Sequence, residues 1–491
     1  MRRAASGSEI RTTAPSDFIH SAGARGGYIL ASRDLIVNDI EAAVEGALLD
    51  GMICLASCDK TAPGQLMAAG RLDLPTIIVA CGYQPAGTFR GAHCDIEDVF
   101  LAAGHHAQGR IGLDELTEMS EHAVLGPGVC AGMGTANSMH IVSEALGMAL
   151  PGSTPVLANS PKMWDTVAES ARRIVDMVVT DLRPRRILTP GAFANAVMTV
   201  LAVSGSINCV KHLQAIAAEA ECEVDVYGLF DELADTVPLL TGVRPNGPHS
   251  IEDLERAGGA AGVLKRLEGL LHKETLTVTG RTTGENLTGV EIADADVIRP
   301  ADAPLGRGPT VVIVRGSLAP ATGIVKLAVD EERRLTFAGT AIVYESPEEA
   351  MAAVHSGEVR EGQVLVLRGQ GPKGSPGMGM ASRPVFAVDG AGLTGKVAVV
   401  TDGQLSGLVN KGIVVGEVSP EAADGGPLAL VENGDRIVID VAAKTADLDV
   451  AEEVLGRRRA RLAEVAEPRG WLALYRRTVT SLQEGAVLRG R

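Results

Sequence analysis

Cys58, Asp59 and Lys60 stand consecutively, placing a soft sulfur donor, a hard oxygen donor and an amine in one triplet. Such a set suits a metal centre, because thiolates select iron or zinc while carboxylates select magnesium-like cations. An ordinary surface loop carries the same triplet by coincidence. A second thiol, Cys130, lies in GPGVCAGMGTANSM (residues 126–139), a glycine-rich turn that runs into a helix. The positive end of a helix favours a thiolate, and a buried structural cysteine is the plain alternative. Asp17, in APSD, has no specificity of its own. Further along, GQGPKGSPGM (369–378) offers backbone N–H groups able to cradle a carboxylate or phosphate, with Lys373 and Ser375 among them. TDGQLSG (401–407) puts Ser406 in a glycine-flanked turn after a strand, a place where most serines are simply turn residues. Neither loop has the order of a P-loop. SGSIN (204–208) reads either as a capping loop or as a polar substrate contact.

The elements that must position these residues follow from periodicity. SRDLIVNDIEAAVEGALLDG (32–51) has a Ser N-cap, apolar residues at helical spacing and a closing Gly51. MICLAS (52–57) predicts a buried strand, which sets the Cys58 triplet at its carboxyl end, where α/β sheets place ligands. A helix over APGQLMAAGRLD and a strand over PTIIVACG complete a βαβ unit. Helices are predicted over 95–108, 113–124, from the Cys130 turn to 148, over 161–179 and from 193 onward. Residues 229–280 mix amphipathic helix with a strand-like LTVTG (276–280). VIRPADAPLGRG (297–308) reads as a linker, and short β-rich runs follow at the spacing of a sandwich or barrel. PLALVENGDRIVIDV is the last of these runs, and AEEVLGRRRARLAEVAEP then predicts a charged C-terminal helix. The expected fold is α/β: an N-terminal α/β domain with a mainly parallel sheet (1–296), then a C-terminal β-barrel-like domain with a closing helix (297–491).

Composition narrows the function classes. The chain has 491 residues, 45 Lys and Arg against 61 Asp and Glu, and a net charge of −16. That balance excludes a sequence-independent grip on phosphate backbones or anionic lipid as the main business, and aromatic residues at 3% exclude base-stacking platforms. No apolar run reaches the roughly 18 residues of a membrane span. The 58 glycines exceed the roughly 7% of an average chain, as expected of a loop-rich enzyme. Seven cysteines and an opening stretch without an apolar signal region predict free thiols in a reducing cytoplasm.

CDKTAPGQLMAA, GPGVCAGMGTANSM, LAVSGSINCVKHL, TVTGRTTGENL, VIRPADAPL, GPKGSPGM and VVTDGQLSG occur in that order from about Ser8 onward. Together they closely resemble the dihydroxy-acid dehydratase and 6-phosphogluconate (sugar-acid) dehydratase family. The resemblance implies a hydro-lyase that dehydrates 2,3-dihydroxy carboxylic acids to 2-keto acids, using an Fe–S cluster (2Fe–2S or 4Fe–4S) and Mg2+ or another divalent cation. It implies Cys58 and Cys130 as cluster ligands, and Asp17, Asp59 and Lys60 at the divalent metal, Lys60 being carbamylated in some members. Ser406 matches the base, and Lys373 and Ser375 lie in the loop near the substrate carboxylate. A homodimer or homotetramer acting on a small hydroxy acid, with no nucleic-acid or membrane partner, is implied as well.

Three departures from the family pattern stand out. A segment with a Pro-Cys-Asn motif, carrying the third cluster cysteine, precedes the position of Asp17 in the family, and the first sixteen residues here contain no cysteine. Cys54 is the nearest spare thiol, but residues four apart on a strand lie about 13 Å from each other. Gln370 stands at a glutamate metal ligand, and, as the third departure, Ala24 stands at another family glutamate together with Phe18 at a glycine. Fewer anionic ligands predict weaker divalent-cation binding. The expectation is therefore a divergent member with a shortened N-terminus. The alternative is a cluster-less homologue with altered chemistry or a non-catalytic partner role.

Overall fold

The computed structural model describes residues 5–17, 28–306, 308–329, 333–379, 381–407, 409, 412–459 and 468–489. They pack as two compact units. One comprises Met1–Asp17, Ser32–Pro85 and Gly126–Gly308, the other Phe18–Ala31, Ala86–Leu125 and Pro309–Arg491. No helix among the described residues is long and apolar enough to cross a membrane, and no disulfide joins any of the seven cysteines.

In the first unit, helix α1 (Ala31–Ala47) leads to β1 (Met52–Ala56), α2 (Thr61–Leu72) and β2 (Thr76–Ala80). The strands pair in parallel from Met52 opposite Thr76 to Ala56 opposite Ala80, as the strand, helix, strand pattern predicts. Helix α1 ends at Ala47, short of Gly51, because Leu48 takes a left-handed conformation with φ 51°. It buries Ile36, Val37, Ile40 and Val44 along one face. Against that face packs α2, whose residues from Thr61 to Gly70 are all buried. The close approach depends on Gly64, where an added Cβ would lie 2.9 Å from the Arg33 carbonyl oxygen. Beyond β2, Tyr83 makes single parallel bridges to Val129 and Leu157, so Cys130 follows directly on a sheet residue.

Residues 86–125 belong to the second unit and form the hairpin β3 (Gly87–Phe89) and β4 (Ala92–Cys94), then α3 (Ile96–Ala107) and α4 (Leu113–Ala123). The chain then returns to the first unit with α5 (Thr135–Ala145), α6 (Pro161–Thr180), α7 (Pro190–Ala202) and α8 (Asn208–Glu219). The strand-like LTVTG run is instead a turn with a single bridge between Leu276 and Thr282. Its Thr277 and Thr279 hydroxyls bond each other at 2.8 Å, and Thr277 also bonds the Arg281 carbonyl. Local side-chain bonds of this kind compete with a ladder.

The second unit continues with β5 (Val311–Val314), β6 (Thr322–Lys326), β7 (Thr336–Tyr344), α9 (Pro347–Ser356), β8 (Gln363–Leu367), α10 (Ser382–Gly390), β9 (Ala398–Thr401), β10 (Val414–Ser419), β11 (Arg436–Asp440), β12 (Thr445–Asp449) and α11 (Glu452–Arg459). The eight strands form one sheet in the order β12-β11-β7-β8-β9-β10-β6-β5. Arg315, just after β5, bridges Thr445 on β12 and draws the sheet into a nearly closed barrel. Val312, Val325, Val364, Val366, Val400, Val415, Ile437 and Ile439 fill its core. The PLAL segment (427–430) of the last β-rich run is a 3-10 turn with Pro427 at its start, since proline has no N–H for a ladder. Helix α3 lies on α10, where Gly104 and Gly390 let the backbones approach; a Cβ on Gly390 would sit 3.0 Å from the Gly104 carbonyl oxygen. Phe18, Ala24 and the second half of the C-terminal helical run (460–467) lie outside the described residues.

Helix propensity and packing oppose each other at Gly64 and agree at Gly46, where an added Cβ would meet nothing within 4 Å. Gly64→Ala is expected to lower the unfolding free energy by about 1–3 kcal/mol through overpacking. Gly46→Ala is expected to raise it by up to about 1 kcal/mol. Urea unfolding midpoints at constant slope check both signs; a Gly64→Ala protein as stable as Gly46→Ala would contradict the packing.

Candidate active site

The Cys58 triplet forms the turn between β1 and α2. The Thr61 hydroxyl and backbone N–H donate to the Cys58 carbonyl at 2.7 and 3.0 Å, and the Ser57 N–H donates to Thr61 Oγ1 at 2.8 Å. This turn sends Lys60 inward, where it is fully buried and donates to Asp17 Oδ2 at 2.7 Å. Asp59 stands by the first turn of α5, where Thr135 and Ala136 favour its ionised form. A helix N-terminus suits an anion there. Burial and the neighbouring Asp17 push the Asp59 carboxyl up to about 7, opposed by Lys60, Thr135 and the Ala136 N–H. Burial, Asp59 and Asp17 likewise push the Cys58 thiol up to about 12. Cys58, Asp59, Lys60 and Asp17 thus form one cluster.

Cys130 is tied to the same helix. The Asn137 amide donates to the carbonyls of Cys130 and Gly132, each at 2.8 Å. His140, one turn further along α5, donates to the Ser57 carbonyl at 3.0 Å, and burial drives its imidazole down to about 4, so it stays neutral at physiological pH. The loops bearing Cys58 and Cys130 are therefore both fastened to α5.

The donor chemistry of this cluster fits the groups the family resemblance implies. Two carboxylates share one ammonium in a buried setting, an arrangement whose residual negative charge a divalent cation offsets, and hard carboxylate oxygens suit magnesium-like ions. Cys58 and Cys130 supply the soft donors that iron takes.

In the second unit, the glycine-rich loop after β8 is held by two buried carboxylates. Asp402, at the end of β9, accepts from the N–H groups of Gly369 (3.1 Å), Gln370 (2.8 Å) and Ala422 (2.9 Å). Glu421 accepts from the N–H groups of Lys373 (2.9 Å) and Gly374 (2.8 Å). These N–H groups cradle the chain's own carboxylates, whereas sequence reading assigns them to an external anion. Gly371 makes room, since a Cβ there would lie 2.5 Å from Glu421 Oε2. Burial raises both acids, Glu421 to about 8 with Asp402 adding repulsion. Lys373 pairs its ammonium with Asp424 at 2.8 Å, and the Ser375 N–H donates to the Gly371 carbonyl. The Gln370 amide donates to the carbonyls of Glu345 (2.8 Å) and Arg368 (3.3 Å). Half-buried Ser406 has its N–H on Ser382 Oγ, in the first turn of α10, at 2.6 Å. Gln370, Lys373 and Ser375 share this loop, while Ser406 is positioned by α10.

Sequence reading missed Asp402, Glu421 and Thr135 as positioning groups; the strand end at Thr401-Asp402 was the one available signal. It also missed His93, Asp95 and Asp98, whose ligand atoms lie within 4.8 Å of one another. The two aspartates form the capping box of α3, which accounts for their placement.

A family model described as the dihydroxy-acid/6-phosphogluconate dehydratase N-terminal domain matches residues 2–286, and the corresponding C-terminal model matches 296–486. The chain belongs to this dehydratase family. It is 42% identical to a dihydroxy-acid dehydratase of Methanothermobacter thermautotrophicus over 94% of this chain and 84% of that protein. Proteins of the same name from Pyrococcus abyssi and Caldicellulosiruptor saccharolyticus are 43% and 41% identical over the same shares.

Because Glu421 is held above the ordinary value near 4.5, the folded protein binds a proton that the unfolded chain releases between about pH 4.5 and 8. Its contribution to stability therefore falls as pH rises through that window. The unfolding free energy of wild type relative to Glu421→Gln is expected to decline from pH 5 to 8 and level off above; a pH-independent difference would contradict the raised pKa.

Proposed function

We propose that this chain removes water from a small 2,3-dihydroxy carboxylic acid or sugar acid to give the 2-keto acid. The observation that carries the reading is the buried cluster of Asp17, Asp59 and Lys60 beside Cys58. In it Asp17 and Asp59 hold a divalent cation, Mg2+ or its like, and Cys58 and Cys130 hold an iron–sulfur cluster. Hydroxide is a poor leaving group at neutral pH, and the chemistry these bound groups supply is Lewis acidity toward the departing 3-hydroxyl.

The chain's own residues do the rest. Lys60 keeps Asp17 in place, and the α5 N-terminus favours the ionised form of Asp59. Ser406 is the base: its alkoxide takes the C2 proton, the C2–H electron pair becomes the C2–C3 double bond, and the C3–O bond breaks with its pair on the departing hydroxide, which takes the proton back from Ser406 and leaves as water. The enol then gains a proton at C3 and loses its hydroxyl proton to give the ketone. Lys373 and Ser375 contact the substrate carboxylate. A cytoplasmic homodimer or homotetramer completes the reading. Relatives named as dehydratases along 94% of the chain support an enzyme over a non-catalytic partner.

Anaerobically purified protein assayed with a panel of 2,3-dihydroxy acids is expected to form a 2-keto acid, and Ser406→Ala to reduce kcat by about 10²- to 10⁴-fold. Keto acid from none of them, in protein with full iron content, would overturn the function. A fully active Ser406→Ala would remove Ser406 as the base.

A further inference from the structure

All seven cysteines are free thiols, and the fold sets three of them apart. Cys58, Cys81 and Cys130 are half-buried, and each follows the carboxyl end of one of three neighbouring parallel segments in the first unit. Cys81 comes directly after β2, and its N–H donates to the carbonyl of Ala56, the last residue of β1, at 2.7 Å. Cys58 lies two residues beyond that carbonyl. Next along from Cys81, the Gly82 carbonyl accepts from the Val129 N–H at 3.0 Å, and the Gln84 N–H donates back to the Val129 carbonyl at 2.8 Å. Cys130 follows Val129. The Cys81 segment is therefore bonded both to the strand that leads to Cys58 and to the segment that leads to Cys130. Two glycines fix this junction. Gly82 takes φ 88°, and a Cβ there would lie 2.6 Å from the Ala158 nitrogen; Gly128 takes φ 131°, with its Cβ 2.3 Å from the Gln84 nitrogen.

The other four thiols are placed differently. Cys54 is buried inside β1, paired with Ile78 and four residues before Cys58. Cys209 is fully buried in α8. Cys222 follows Ala220, which packs on Gly70 near the end of α2, about 14 Å along that helix from the turn that carries Cys58. Cys94 belongs to the second unit. Iron–sulfur clusters are held by sets of cysteine thiolates, each thiol giving up its proton when iron binds, and two cysteines are a short set. Resting on the cluster proposed above, we propose that Cys81 is a third thiolate ligand of it, brought between Cys58 and Cys130 by the bonds of its segment to Ala56 and Val129. The place that sequence reading weighs for Cys54 falls to Cys81 on the neighbouring strand.

The full chain, purified anaerobically and reconstituted with ferrous iron and sulfide, tests this by its iron content, acid-labile sulfide and visible absorbance, without recourse to turnover. Cys81→Ala is expected to hold about a tenth of the wild-type iron or less, as are Cys58→Ala and Cys130→Ala. Cys54→Ala and Cys222→Ala are expected to keep the wild-type content. Cys81→Ser offers oxygen in place of sulfur, and any iron it holds is expected to show a shifted absorption band and shifted g values on reduction. Where Cys81→Ala fails to fold, alkylation of the wild type decides: iodoacetamide is expected to spare Cys81 in the iron-loaded protein and to label it once the iron is chelated away. Wild-type iron in folded Cys81→Ala, an unshifted spectrum in Cys81→Ser, or equal labelling of Cys81 with and without iron overturns its role. A wild type that takes up no iron, or whose iron survives both Cys58→Ala and Cys130→Ala, overturns the cluster itself, and the inference with it.

Discussion

Buried Asp17 and half-buried Asp59 stand beside each other with the Lys60 ammonium as their countercharge, and the first unit is organised around keeping that arrangement folded. The penalty for dehydrating two carboxylates is large, so the surrounding elements supply donors. The first turn of helix α5 favours the charged form of Asp59, and α2 begins at the turn that brings Lys60 inward. A second buried set lies alongside: Arg33 meets Asp34 at 3.3 Å and His212 at 3.4 Å. Burial, together with Lys211, Lys60 and Arg33, drives the His212 imidazole well down, so a neutral ring stands among three cations. Charge here is balanced between α1, α2 and α8, which explains why α1 and α2 touch as closely as Gly64 allows.

The second unit solves a related problem with the same material. A glycine-rich loop has many backbone donors and few side chains to hold it, and buried Asp402 and Glu421 accept from those donors and fasten the loop to the ends of β9 and β10. The loop is thereby a rigid mount for Gln370, Lys373 and Ser375. Binding groups on such a mount need less ordering when a ligand arrives.

Much of this was legible in the residues. The period of apolar positions located β1, α2 and β2, and hence the strand end that carries Cys58, Asp59 and Lys60. The short β-rich runs after residue 308 gave the barrel. What could not be read were partners distant in sequence: Asp17 with Lys60, Thr135 with Asp59, and α3 with α10. None leaves a local pattern, because each depends on two segments meeting in three dimensions. LTVTG misled for a different reason, its threonines having β propensity that their own hydroxyls override. The burial of Lys211 gave no warning either, since a lysine in an amphipathic helix ordinarily reaches water.

Anomalous scattering from crystals grown anaerobically with Mn2+ tests the central claim most directly. The account predicts a manganese peak bonded to carboxylate oxygens of Asp17 and Asp59. A peak confined to His93, Asp95 and Asp98, with the ion pair between Lys60 and Asp17 intact and no metal beside it, would contradict it.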